Sequence, residues 1–159
     1  MQAVAKDPAA LQPALLMVVA TSILTALGSY LFPSTMGMVT YRYDIGALVG
    51  QALISIVMGV GLLYATGYLA EKVFHSKLDM NGYVRVAGHS MIVNTIGILP
   101  AAAGIGGLWS LVIFCVLLNK LGKMQAGSII LLLLLEGVVL MVLAGLLVGS
   151  GAGMYFGGF

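Results

Sequence analysis

The chain is a succession of long apolar runs broken by short polar stretches. The runs cover residues 11–32, 45–70, 86–118 and about 128–148. A helix of about 20 apolar residues crosses the hydrocarbon core of a bilayer. Pro13 sits in the first turn of the first run, where a missing N–H costs little, and Pro33 ends it. The second run is long enough to cross with tilt. The third has 33 residues, roughly 50 Å of α-helix, which is too long for one crossing. Inside it, "PAAAGIGG" at 100–107 carries the strongest turn punctuation of the run. The pattern therefore predicts a tight hairpin there. It gives five spanning helices, over 11–32, 45–70, 84–99, 105–118 and 128–148, in one all-α polytopic membrane domain covering 1–159. A short flexible tail, "GSGAGMYFGGF", follows.

Composition strengthens that reading. The 159 residues are 61% hydrophobic and 8% charged. A soluble domain is about 45–50% apolar and about 25% charged. The mean hydropathy is +1.12. So little polar surface excludes a monomer in water and predicts an integral membrane protein. Glycine, at 22 residues, is roughly twice its usual share, which favours close approach of helices. The single cysteine, Cys115, forms no intrachain disulfide, and the chain has no CxxC motif for thiol zinc or covalent haem. A net charge of +2 is too small to argue for nucleic acid.

The placement of charge says more than its sum. With five spans, the N-terminus, loop 71–85 and loop 119–127 share one side. They hold Lys6, Lys72, Lys77, Arg85, Lys120 and Lys123, against Arg42 alone on the other side. The positive-inside rule then predicts a cytoplasmic N-terminus and an external C-terminus. Four spans would divide the same charges four against three. Tyr30, Phe32, Tyr41 and Tyr43 fit the outer interface, with Trp109 a few residues below it. Tyr64, Tyr68, Phe74 and Tyr83 fit the inner one. The first run also has the weak basic start and the small residues near Ala26–Gly28 of a signal peptide, and is counted here as a retained span.

Small or weakly polar residues recur at helical spacing. They are Thr21, Thr25 and Gly28 in the first helix and Gln51, Ser55, Gly59, Leu62 and Thr66 in the second. Ser90, Asn94, Gly97 and Ala101 continue the pattern in the third. These stripes read first as helix–helix seams and second as the lining of a polar path. The sequence "GALVG", Gly46–Gly50, fits GxxxG, a weak signal in so glycine-rich a chain.

Glu136 stands alone within an apolar run, and a charge at bilayer depth costs roughly 2.5–3.5 kcal/mol or more. By helical rise it lies ~12 Å in from the cytoplasmic start of its helix. Asn94 and His89 lie ~15 Å and ~8 Å along the third. Arg85 and His89 share a face at i, i+4. Glu136, Asn94, His89 and Arg85 are the candidate polar intramembrane cluster, with Glu136 neutral or hydrogen-bonded to Asn94 or His89. Two roles stay open for it. One is a latch between helices or partner subunits, the other a proton- or ion-coupling site. A bis-histidine haem needs a second membrane histidine, and His75 lies in a loop. No nucleophile–base–orienter set or phosphate loop is visible. No enzyme activity, cofactor or metal is expected.

Several local features resemble one family. Tyr83 and Arg85 form an aromatic–x–Arg entry to the third helix, which ends near Pro100. Trp109 lies in the fourth helix, a basic loop runs over 120–126, and Asp7–Pro8 precedes the first helix. In these the chain resembles the Yip family of Ypt/Rab-interacting membrane proteins, in its prokaryotic branch. The resemblance implies five spans, a cytoplasmic N-terminus and a multi-pass place in a prokaryotic cell membrane. Eukaryotic relatives engage prenylated Rab GTPases through a cytosolic N-terminal region. Here about ten residues precede the first run, and an Asp-Leu-Tyr-Gly-Pro motif is absent. The resemblance thus implies architecture more than activity. The sequence as a whole points to a non-enzymatic scaffold or accessory subunit. Its expected partners are the lipid bilayer and membrane proteins or further copies of the chain. The alternative is a small transporter using Glu136.

Overall fold

A computed structural model describes the backbone of residues 1–32, 35–36, 39–40, 45–98 and 100–149. It describes side chains over 1–32, 45–95 and 105–143. The expected tail beyond Gly149 lies outside the described residues, as do Pro33, Tyr41, Arg42 and Tyr43, the surroundings of Gly97 and the side chain of Ala101. Short helix α1, Gln2–Lys6, leads through a 3₁₀ turn, Pro8–Ala10, into α2, Leu11–Leu31. Strands β1, Thr35–Met36, and β2, Val39–Thr40, pair antiparallel, Thr35 with Thr40 and Met36 with Val39. Then come α3, Ile45–Lys72, and α4, Met80–Ser90, which continues as a 3₁₀ segment, Met91–Ile98. Helices α5, Pro100–Lys120, and α6, Ala126–Gly149, complete the chain.

The described chain is mainly helical, with the single β1–β2 pair and short loops between helices. Three of its helices are long and apolar enough to cross a membrane: Pro8–Leu31, Ile45–Lys72 and Ala126–Leu143. The protein is a membrane protein on that ground.

The expected hairpin at Pro100–Gly107 is not a turn. Residues 100–107 are the first two turns of α5, and the 3₁₀ segment before it runs to Ile98. The physical reason is positional. Proline at the first position of a helix loses an N–H that has no partner there anyway. Glycine inside a membrane helix is tolerated where a neighbour needs the room. Gly106 is buried against the 3₁₀ segment, where a Cβ would lie 3.7 Å from Asn94 Oδ1.

Helix α4 is the centre of the bundle. It packs on α1, α2, α3 and α5. Asp79 starts it by accepting the Gly82 N–H at 3.2 Å, four residues before the expected start. Two glycines allow its neighbours in. A Cβ on Gly88 would lie 2.9 Å from both the Cβ and the carbonyl oxygen of Ala14 in α2. In α3, a Cβ on Gly67 would lie 3.0 Å from the Met80 carbonyl. Tyr83 meets Phe114 of α5 edge to face, with ring centroids 6.0 Å apart.

The first seam is only partly an interhelical one. Thr21 and Gly28 are buried, but the Thr21, Thr25 and Ser29 hydroxyls each donate to carbonyls of their own helix, at 2.8–3.2 Å.

One end of the molecule is tied together by loops. Lys77 N–H donates to the Gly122 carbonyl at 2.8 Å, joining loop 73–79 to loop 121–125. Glu71 accepts the Met80 N–H at 2.7 Å. The Arg85 guanidinium reaches across to the Ala5 carbonyl at 2.7 Å, fastening α1 to α4. Lys6, Lys77 and the loop residue Lys123 therefore share one end.

Candidate functional site

Glu136 lies four residues, about one helical turn, beyond the fully buried Leu132 of α6 and faces into the bundle half-buried. Its Oε1 accepts a hydrogen bond from the Thr66 hydroxyl of α3. Thr66 is 3% exposed and Tyr83, on α4, is 2% exposed. Tyr83 and Glu136 line the same cleft. Three helices thus converge on one carboxyl group.

Helix geometry explains the pairing. Thr66 is six residues from the Lys72 end of α3, about 9 Å by helical rise, and Glu136 is ten residues from Ala126, about 15 Å. Side chains lean toward the N-terminus of their own helix. Helices α3 and α6 run in opposite directions, so Thr66 leans away from the loop end and Glu136 leans toward it. The leans close the offset.

The carboxyl group borders a half-open cleft of about 230 Å³. Helix α4 and the start of the 3₁₀ segment form its back, α5 one side and α6 the other. Leu111, Phe114 and Leu133 make apolar walls; Ser90, Ser110 and Tyr83 add hydroxyls. Ser90 donates to the Ala87 carbonyl at 2.7 Å, and Ser110 donates to Asn94 Oδ1 at 2.6 Å. Such a site, mostly apolar with a few fixed polar groups, suits an amphiphilic molecule better than a polar solute.

The four expected cluster residues have separate partners. Glu136 takes Thr66, where Asn94 or His89 was the expectation. Asn94 accepts from Ser110 and directs its amide at Met91 Sδ, 3.3 Å away. His89 Nδ1 lies 2.7 Å from the Arg85 carbonyl; that oxygen can only accept, so this nitrogen carries the proton. Arg85 holds α1, and its Nε is buried without a hydrogen-bond partner. The depth arithmetic explains Asn94. An α4 that starts at Met80 adds about 6 Å ahead of it, and the 3₁₀ rise adds a little more. Thr66 was visible in the sequence as a member of the second seam. Its pairing was not, because depth was counted along backbones and ignored side-chain lean.

Among the described residues no group of three or more His, Cys, Asp or Glu side chains stands close enough to hold a metal ion. No family model, curated protein or solved structure matches the chain.

Proposed function

We propose that this chain is a non-enzymatic scaffold or accessory subunit of a larger membrane complex, with the five-span Yip-like architecture. In this reading α2, α3, α4 with its 3₁₀ segment, α5 and α6 each cross a prokaryotic cell membrane. The N-terminus lies in the cytoplasm and the C-terminus outside. The clustering of lysines at the loop end supports that orientation. The observation that carries the reading is the outer half of α6. Every residue from Gly137 to Val142 is exposed, on all faces of the helix. Membrane helices associate by close packing, and Gly137 offers a place for it.

The test is position-specific crosslinking in native membranes. Val138→Cys or Met141→Cys, in a Cys115→Ala background, should trap a protein of defined mass with a bifunctional thiol–photoreactive reagent. Products containing lipid alone, from both positions, would overturn the proposal. A second reading, a small proton- or ion-coupled transporter, is favoured by one observation: an ionisable side chain at membrane depth borders a cleft. Proteoliposome flux that is absent in the parent, or unchanged in Glu136→Gln, would end it.

A further inference from the structure

We infer that the cleft beside Glu136 is a binding site for a single-chain amphiphile with a protonated amine head. The amine pairs with the Glu136 carboxylate, and the alkyl chain lies between α5 and α6. This inference is independent of what, if anything, covers the outer half of α6.

Four observations combine. First, the carboxyl group is anchored on one side only. Thr66 occupies Oε1, and the group still borders the cleft. A half-buried carboxylate in apolar surroundings is stabilised by a cation or several donors, and Thr66 supplies one donor. Second, the basic side chains of α4, the helix at the back of the cleft, are committed elsewhere. Arg85 donates to the Ala5 carbonyl and His89 to the Arg85 carbonyl. Third, among the described residues no lysine, arginine or histidine lines the cleft. A phosphate or carboxylate head would enter an apolar site without a counter-charge and beside a like charge, which disfavours phospholipid heads. Fourth, the cleft is reached from the side of the bundle. Gly107 and Leu111 line it and are exposed, and α6 is exposed over Gly137–Val142. An alkyl chain can therefore enter from the lipid with its head leading. Phe114, Leu117 and Leu133 close the end nearest the loops, which fixes the head at the Glu136 level.

The shape also explains Gly107. A Cβ at this position meets nothing within 4 Å, so glycine is not required there by protein packing. It leaves open the space that the chain would use.

The test uses the intact protein in maltoside micelles, with native mass spectrometry counting bound dodecylamine or dodecanol. The wild type should bind dodecylamine about tenfold or more tightly than dodecanol, the factor expected of a charge-assisted hydrogen bond. Glu136→Gln should reduce dodecylamine to the dodecanol level and leave dodecanol unchanged. Gly107→Phe, whose Cβ has open space around it, narrows the cleft and should weaken both ligands. Equal binding of amine and alcohol by the wild type would overturn the inference. So would an amine preference that survives Glu136→Gln, or ligand binding that Gly107→Phe leaves intact. Should Glu136→Gln fail to fold, Gly107→Phe and the amine-to-alcohol ratio of the wild type decide the matter alone.

Discussion

Helix α4 carries an arginine, a histidine, an asparagine and two glycines, and it is the most enclosed helix. Every residue from Gly82 to Gly88 except Arg85 is buried. The stretch Gly137–Val142 of α6 holds only apolar residues and a glycine, yet every residue in it is exposed. In a soluble protein the placement would be reversed. The contrast follows from the solvent. Lipid tails are as apolar as leucine, so apolar surface gains little by leaving them. What draws helices together is close fit and polar pairing, and α4 has both. Polar and small residues mark the inside here; a pure leucine–valine surface marks what this chain leaves uncovered.

That contrast can be tested by substitution, with thermal unfolding in one detergent as the common measurement. Leu132 is 0% exposed and Met141 is 79% exposed, two to three turns apart on the same helix. Leu132→Ala should destabilise by about 2–5 kcal/mol. An effect as small as that of a surface position would mean that the inner half of α6 is not packed either. Gly88→Val comes next, at about 1–3 kcal/mol, because its side chain needs space that Ala14 occupies. Unchanged stability would show that α2 and α4 are not in contact at this point. Asp79→Ala removes the cap of α4 and should cost about 1 kcal/mol. Amide exchange should rise at Gly82 and stay constant in α6. Thr66→Val should cost about 0.6 kcal/mol, the average for membrane hydrogen bonds. In a double-mutant cycle with Glu136→Gln, independent effects would rule out the pair. Met141→Ala should fall within about 0.5 kcal/mol of the parent.

The helical regions were legible because bilayer thickness imposes a minimum run of apolar residues, and runs 11–32 and 45–70 meet it. The grouping of the N-terminus with loops 73–79 and 121–125 was legible from lysines. The start of α5 at Pro100 was not. The Pro-Gly run over 100–107 carries turn residues, but a proline that opens a helix and glycines that admit a neighbour have the same letters. Helix α1 has five residues, too few to leave a periodic signal, and it exists through the Arg85–Ala5 contact. Glu136 was legible as an anomaly. Its partner Thr66 required knowing that antiparallel helices lean their side chains toward each other.

The 3₁₀ segment after α4 has a consequence for length. Runs of this winding beyond three or four residues are uncommon, and this one has 8. At about 2.0 Å per residue it extends roughly 16 Å; α-helical winding would give about 12 Å. With the 11 residues of α4 it reaches about 32 Å, close to the ~30 Å of a hydrocarbon core. In the proposed five-span arrangement, a thinner bilayer would favour the shorter winding. That change would also rotate the segment by about 20° per residue and carry Asn94 away from Ser110. Membrane thickness and one hydrogen bond beside the cleft are in this way geometrically linked.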